Sequence, residues 1–167
     1  MTDRPETRTF DAFFVDEFPR LVSMLTAWCG DRATAEDLAQ DALLKAQRRW
    51  AEIVRLDNPG TWVRRVALNR SSNEGRRRRR ERAAIRRLRT AASSAPQFSG
   101  VPVLDTQLWD RVRALPARQR DAIVLHYVDD LPLADVAAVL GCNVGTVKTH
   151  LQRGRRRLAT TLEGDQR

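Results

Sequence analysis

The stretch Leu133–Leu158, LADVAAVLGCNVGTVKTHLQRGRRRL, decides the fold of the second half of the chain. Leu133, Val136, Ala137 and Leu140 recur at helical spacing, and Gly141 supplies the left-handed position at which such a helix stops. Asn143 then caps a second helix whose inward stripe is Val144, Val147, Leu151 and Leu158. The opposite face of that helix carries Lys148, Thr149, Gln152, Arg153, Arg155 and Arg156. Two helices joined by a short glycine-containing turn, the second basic and rich in hydrogen-bonding groups, describe a helix-turn-helix whose second helix enters the DNA major groove. Small residues at Gly145 and Thr146 let the start of that helix lie close to a backbone, whether protein or phosphate. Such an element binds and holds no reaction centre. The alternative is a structural helical hairpin with a solvated arginine face.

The segments upstream are helical as well. Asp105 is a good cap for a helix that places Leu108, Trp109, Val112 and Leu115 on one face; Pro116 breaks it, and Ala117–Val128 forms another with Ile123, Val124 and Tyr127 inward. Residues 90–104, TAASSAPQFSGVPVL, hold two prolines and no periodicity, and read as a flexible linker. Nearer the start, Phe10, Phe13, Phe14, Phe18, Leu21, Val22, Leu25 and Trp28 follow helical spacing, and Pro19 is expected to kink the run or to begin a second helix. Over residues 34–50, Thr34 is the expected cap, with Asp37 three residues on, and Leu38, Ala42, Ala46 and Trp50 form an inward stripe flanked by Ala39 and Leu43. The other face, Asp37, Gln40, Asp41, Leu44 and Lys45, is polar with one apolar residue in it, which suits either solvent or a partner helix.

Residues 51–58, AEIVRLDN, are a connection, and Asn58-Pro59 opens a helix expected to run from Gly60 to about Arg80. Its pattern buries Trp62, Val63 and Val66 and exposes Arg64, Arg65, Asn69 and Arg70. Arg76–Thr90 holds nine arginines against one glutamate, nearly the whole of the chain's net charge of +9. So dense a tract serves either phosphate or solvent, and a second basic element in the same chain favours phosphate. With a pI near 11.1, an acidic polymer is a better partner than a small acidic metabolite. Strand patterns are absent. The expected architecture is all-α, with two small helical domains, 10–89 and 105–162, joined by the flexible linker 90–104, the C-terminal one containing the helix-turn-helix.

Cys29 and Cys142 stand far apart in a chain with no signal peptide and no apolar run long enough to cross a bilayer, so a reduced cytoplasm and no membrane insertion are expected. Zinc on Cys142, His126 and His150 lacks the usual ligand spacing, and neither a metal nor another cofactor is expected.

Four stretches, in this order, carry a resemblance to one family: residues 35–44, AEDLAQDALL; 58–69, NPGTWVRRVALN; 115–120, LPARQR; and 140–148, LGCNVGTVK. Together they resemble the extracytoplasmic-function (ECF) sigma factors of bacterial RNA polymerase, in particular the sigma-E-like actinobacterial type, from about Phe10 to Leu162. The resemblance implies a non-enzymatic initiation factor whose partners are core RNA polymerase, through the largest-subunit clamp and the flap, and promoter DNA. By it, Asp37, Gln40, Asp41 and Leu44 grip the clamp coiled coil. Arg55, Asp57, Asn58, Arg64, Arg65 and Asn69 meet the minus-10 element as single-stranded DNA, with one base flipped into a pocket of the 51–58 loop. Lys148, Thr149, Gln152 and Arg153 read the minus-35 duplex, and Arg76, Arg77, Arg78, Arg155 and Arg156 hold phosphates. The linker would thread toward the RNA exit path, and an anti-sigma factor covering both domains is a further expected partner. Pro132 stands where the family usually has a Ser or Thr cap, so the entry to the first motif helix is expected to differ. No appended C-terminal regulatory domain is expected after Arg167.

Rival readings come from other classes. A stand-alone dimeric helix-turn-helix regulator would explain residues 133–158 but not the Asp37–Leu44 strip. A small helical enzyme would need converging ionisable groups, and the chain has two histidines and no partnered pattern. An RNA-binding protein could use the arginine tract, yet nothing resembles a stacking platform.

Overall fold

A computed structural model describes residues 8–69 and 106–164, and every described element is helical. The first domain is built on α1 (Phe10–Cys29) and α2 (Arg32–Arg48), which pack along their lengths. Thr9 caps α1 by accepting from the Ala12 amide, and Gly30, at φ +79°, ends it in the left-handed conformation that a residue without Cβ adopts freely. Pro19 does not start a new helix; α1 is continuous through it. The residue lies on the exposed face, where solvent can take the carbonyl bond that the ring removes.

Phe13, Leu21, Met24 and Leu25 from α1 meet Leu38, Ala39, Ala42, Leu43 and Ala46 from α2, the inward stripe expected from the sequence. Phe10 and Phe13 close on Trp50, with ring centroids 5.5 and 4.8 Å away. The cap of α2 is Asp31 rather than Thr34. The Asp31 carboxylate accepts from the Thr34 amide at 2.9 Å and from the Thr34 hydroxyl at 2.5 Å, so Thr34 is a donor within the first turn.

The connection expected over residues 51–58 contains a helical turn, α3 (Trp50–Ile53), that buries Ile53. Asn58 then caps α4 (Pro59–Leu68) by accepting from the Thr61 amide, with Pro59 in the first turn. This helix ends at Leu68, where Asn69 turns extended, instead of continuing to Arg80. The arginine tract, the linker 90–104 and the Asp105 cap lie outside the described residues.

In the second domain α5 (Thr106–Ala114) and α6 (Ala117–Ile123) flank Pro116, and α6 widens into a π turn over Val124–Val128. There the Asp129 amide reaches back five residues to the Val124 carbonyl. The wider turn alters the helical phase, and Tyr127, expected inward, is half exposed. The helix-turn-helix follows as α7 (Leu133–Leu140) and α8 (Val144–Gly164), with Gly141 at φ +65° between them. Pro132 precedes α7 without a side-chain cap bond, as its lack of a hydroxyl dictates. Asn143 caps α8 through its Oδ1, which accepts from the Thr146 amide and hydroxyl. Val147 and Leu151 are buried as expected, whereas Val144, the first residue of α8, is partly exposed. Gly154 closes the stripe: a Cβ there would stand 2.7 Å from Ile123 Cδ1, so α6 and α8 approach at glycine distance.

The capping geometry sets a stability expectation. Asp31→Ala should destabilise the first domain by about 1 kcal/mol, within the roughly 0.5–2 kcal/mol typical of a lost cap, read as a lower midpoint in urea unfolding, with Asp31→Asn retaining most of it.

Candidate polymerase and promoter surfaces

Three surfaces bear the residues singled out by sequence. On α2, Asp37, Gln40, Asp41 and Leu44 all face solvent, and Leu44 is 52% exposed. Gln40 and Leu44 line an open groove of about 360 Å³ together with Phe10, Asp11, Phe14, Leu43 and Gln47. An apolar floor with one carboxylate, Asp11, and two amides, Gln40 and Gln47, around it suits a partner helix bearing both apolar and cationic side chains. The strip is outward because the i, i+4 stripe of α2 commits its other face to α1.

On α8, Lys148, Thr149, Gln152, Arg153, Arg155 and Arg156 are exposed opposite Val147 and Leu151. The Thr149 hydroxyl donates to the Gly145 carbonyl at 3.1 Å. Arg155 donates to the Tyr127 hydroxyl at 3.3 Å, so the π turn presents a phenol that holds an arginine of the recognition helix. His150 has its pKa lowered by partial burial and by the neighbouring Arg118 and Arg153 charges, which keeps its imidazole neutral at neutral pH.

The third surface departs from expectation. Arg55, Asp57, Asn58, Arg65 and Asn69 are exposed, but Arg64 is 4% exposed and lies between the two domains. Its Nη1 donates to Glu17 Oε2 at 2.7 Å and to the Gly60 carbonyl at 3.1 Å, while Nε and Nη2 both engage the Asp129 carboxylate of the second domain. Burial alone would lower the guanidinium pKa, and the two carboxylates more than reverse this, so the group stays charged. Periodicity placed Arg64 on the polar face of α4 correctly; that face is covered by the other domain, 65 residues further along the chain. A Cβ at Gly60 would sit 2.7 Å from Arg64 Nη1, so that glycine makes room for the buried fork.

The covering contact has more members. Asn58 Nδ2 donates to Asp135 Oδ2 at 3.1 Å, Trp28 Nε1 donates to Asp121 Oδ1 at 2.8 Å, and the Arg120 guanidinium lies 4.8 Å over the Trp28 ring. Sequence reading found none of Glu17, Asp121, Asp129 or Asp135, because no local pattern links residues so far apart. Arg76, Arg77 and Arg78 lie outside the described residues. Among the described residues no three His, Cys, Asp or Glu side chains gather as a metal site requires, and no helix is long and apolar enough to cross a membrane. Cys29 donates to the Asp31 carbonyl at 3.2 Å, and burial raises its thiol pKa, which makes it a poor nucleophile.

Comparison with known proteins fits this geometry. Residues 13–81 match the family model for Sigma-70 region 2, and residues 105–158 match that for Sigma-70, region 4. The chain is 31% identical over 135 residues to the RNA polymerase sigma-E factor of Streptomyces avermitilis, covering 80% of this chain and 73% of that one. It is 30% identical over 148 residues to the ECF RNA polymerase sigma factor SigW of Bacillus subtilis, covering 80% and 78%. Among solved structures, the sigma factor RpoE in complex with the anti-sigma factor NepR from Bartonella quintana superposes with a TM-score of 0.67 at 26% identity, covering 92% of this chain and 96% of that one. CnrH in complex with the cytosolic domain of CnrY, at 21% identity and a TM-score of 0.63 over 93% and 88% of the two chains, shares the fold. A stand-alone regulator would leave the region 2 match without a role. The chain belongs to the ECF branch of the sigma-70 family, the alternative sigma factors that bind core RNA polymerase and direct it to promoters, and is an initiation factor rather than an enzyme.

Proposed function

We infer that this factor divides its work among the three surfaces. Asp37, Gln40, Asp41 and Leu44 grip the clamp coiled coil of the largest polymerase subunit, and the second domain sits on the flap. Lys148, Thr149, Gln152 and Arg153 read the minus-35 duplex, since a helix in the major groove reaches base edges with the side chains of one face. Arg155 and Arg156, further along α8, hold phosphates together with Arg76, Arg77 and Arg78. The exposed residues Arg55, Asp57, Asn58, Arg65 and Asn69 meet minus-10 single-stranded DNA, and Arg64 joins them only when the domains separate. The working domains are 10–89 and 105–162, joined by 90–104, and the setting is the cytoplasm, where polymerase and promoter are.

The observation that carries this reading is the α2 strip. Its polar and apolar side chains stay exposed beside an apolar groove opposite the buried stripe of α2, and a protein that only bound duplex DNA has no use for it. An anti-sigma factor contacting both domains is a further partner, supported by the RpoE–NepR complex, which has the same fold.

Two measurements test these roles. Transcription in vitro from a pool of genomic promoters, with core polymerase and this chain, should yield new start sites that share two upstream elements at fixed spacing. Asp37→Ala or Gln40→Ala should abolish those starts while leaving duplex binding by α8 intact. On a mapped minus-35 duplex, Gln152→Ala should cost about 1–3 kcal/mol and relax preference at one base pair, whereas Arg155→Ala should weaken all sequences alike and lower the salt dependence by about one charge. Equal effects of both variants on every duplex would refute the division of labour on α8.

A further inference from the structure

We propose that Thr149 reads a thymine of the minus-35 element through its side-chain methyl group, the hydroxyl taking no part in the base contact. The inference rests on the reading of α8 as the minus-35 helix and names what one residue of that helix recognises.

Thr149 is exposed on the face of α8 that also carries Lys148, Gln152 and Arg153. Its hydroxyl is turned back along the helix and donates to the Gly145 carbonyl at 3.1 Å, one turn earlier. To donate to a base, that hydroxyl would have to give up a bond it already holds. The methyl group gives up only water. In the major groove an aliphatic group has one matching feature, the C5 methyl of thymine, which no other standard base presents.

The head of the helix suits such a contact. Gly145 precedes Thr149 by one turn on the same exposed face, and a Cβ placed there would meet only Asn143 Oδ1, at 3.3 Å. No side chain at that position holds the short Thr149 side chain away from the base edges. Val144, also at the head of α8, keeps 37% of its surface exposed. The Thr146 hydroxyl, like that of Thr149, is spent within the protein, donating to Asn143 Oδ1 at 3.0 Å. The leading end of α8 thus offers aliphatic carbon where the rest of the exposed face offers arginine, and the polar side chains of Lys148, Gln152 and Arg153 flank it. Residue type alone counts Thr149 among the hydrogen-bonding readers; the direction of its hydroxyl moves it to the apolar ones.

The test uses the full chain assembled with core polymerase, and a promoter fragment mapped as above in which each thymine of the minus-35 element, on either strand, is replaced in turn by deoxyuridine, which lacks only the C5 methyl. One position should weaken holoenzyme binding about fourfold, the worth of one methyl group removed from water. Thr149→Ser, which keeps the hydroxyl and loses the methyl, should weaken binding to the thymine promoter by a similar factor and bring no further loss on deoxyuridine. Thr149→Val, which keeps the methyl and loses the hydroxyl, should retain the discrimination. Gln152→Ala is the control for the helix as a whole. Suppose that it relaxes one base pair. The thymine contact is then overturned, with the minus-35 reading intact, if the element holds no thymine on either strand, if no deoxyuridine weakens binding, if the deoxyuridine loss persists in full in Thr149→Ser, or if Thr149→Val abolishes it. If neither Gln152→Ala nor any Thr149 variant alters preference at any minus-35 pair, the reading of α8 itself falls, and the thymine contact with it.

Discussion

One guanidinium with two carboxylates governs how the halves of this molecule meet. Arg64 is nearly inaccessible to solvent, and a buried charge is tolerated only when it is paired and its donors are used. Glu17 from α1 and Asp129 from the turn after the π segment satisfy it from opposite sides, one in each domain. Around that bond the joint has further polar members: an indole to a carboxylate, an amide to a carboxylate, a guanidinium over an aromatic ring. Each of these polar contacts could be replaced by water if the halves parted.

Much of this was legible in the chain. The stripe of Leu38, Ala42 and Ala46 on α2, the left-handed glycine between α7 and α8, and the Asn143 cap each follow from local rules that the tertiary structure has no reason to override. The exposed faces of α2 and α8 were legible for the same reason: a helix with one apolar stripe must turn its other side outward. The cap of α2 was misplaced by three residues because Asp31 and Thr34 are both good caps, and only the backbone shows which one accepts and which donates.

The rest was illegible for physical reasons. Periodicity reports which face of a helix is polar, yet it is blind to a polar face covered by another polar face, as at Arg64. Tyr127 escaped because one wide turn changes the phase of a helix without a signal in residue type. Gly154 looks like a weak spot in a helix until Ile123 is found against it. In each case the missing information was a contact between segments far apart in the chain.

Trp28 gives the joint an optical signature of its own. Its indole N–H is bonded to a carboxylate of the other domain and its ring lies beneath a guanidinium, whereas Trp50 sits among the aromatics of the first domain and Trp109 in the second. Parting the domains would exchange charged neighbours for water at Trp28 and leave the Trp50 ring among its aromatic neighbours. The emission of Trp28 therefore follows the joint without any label, once separated from that of Trp50, Trp62 and Trp109.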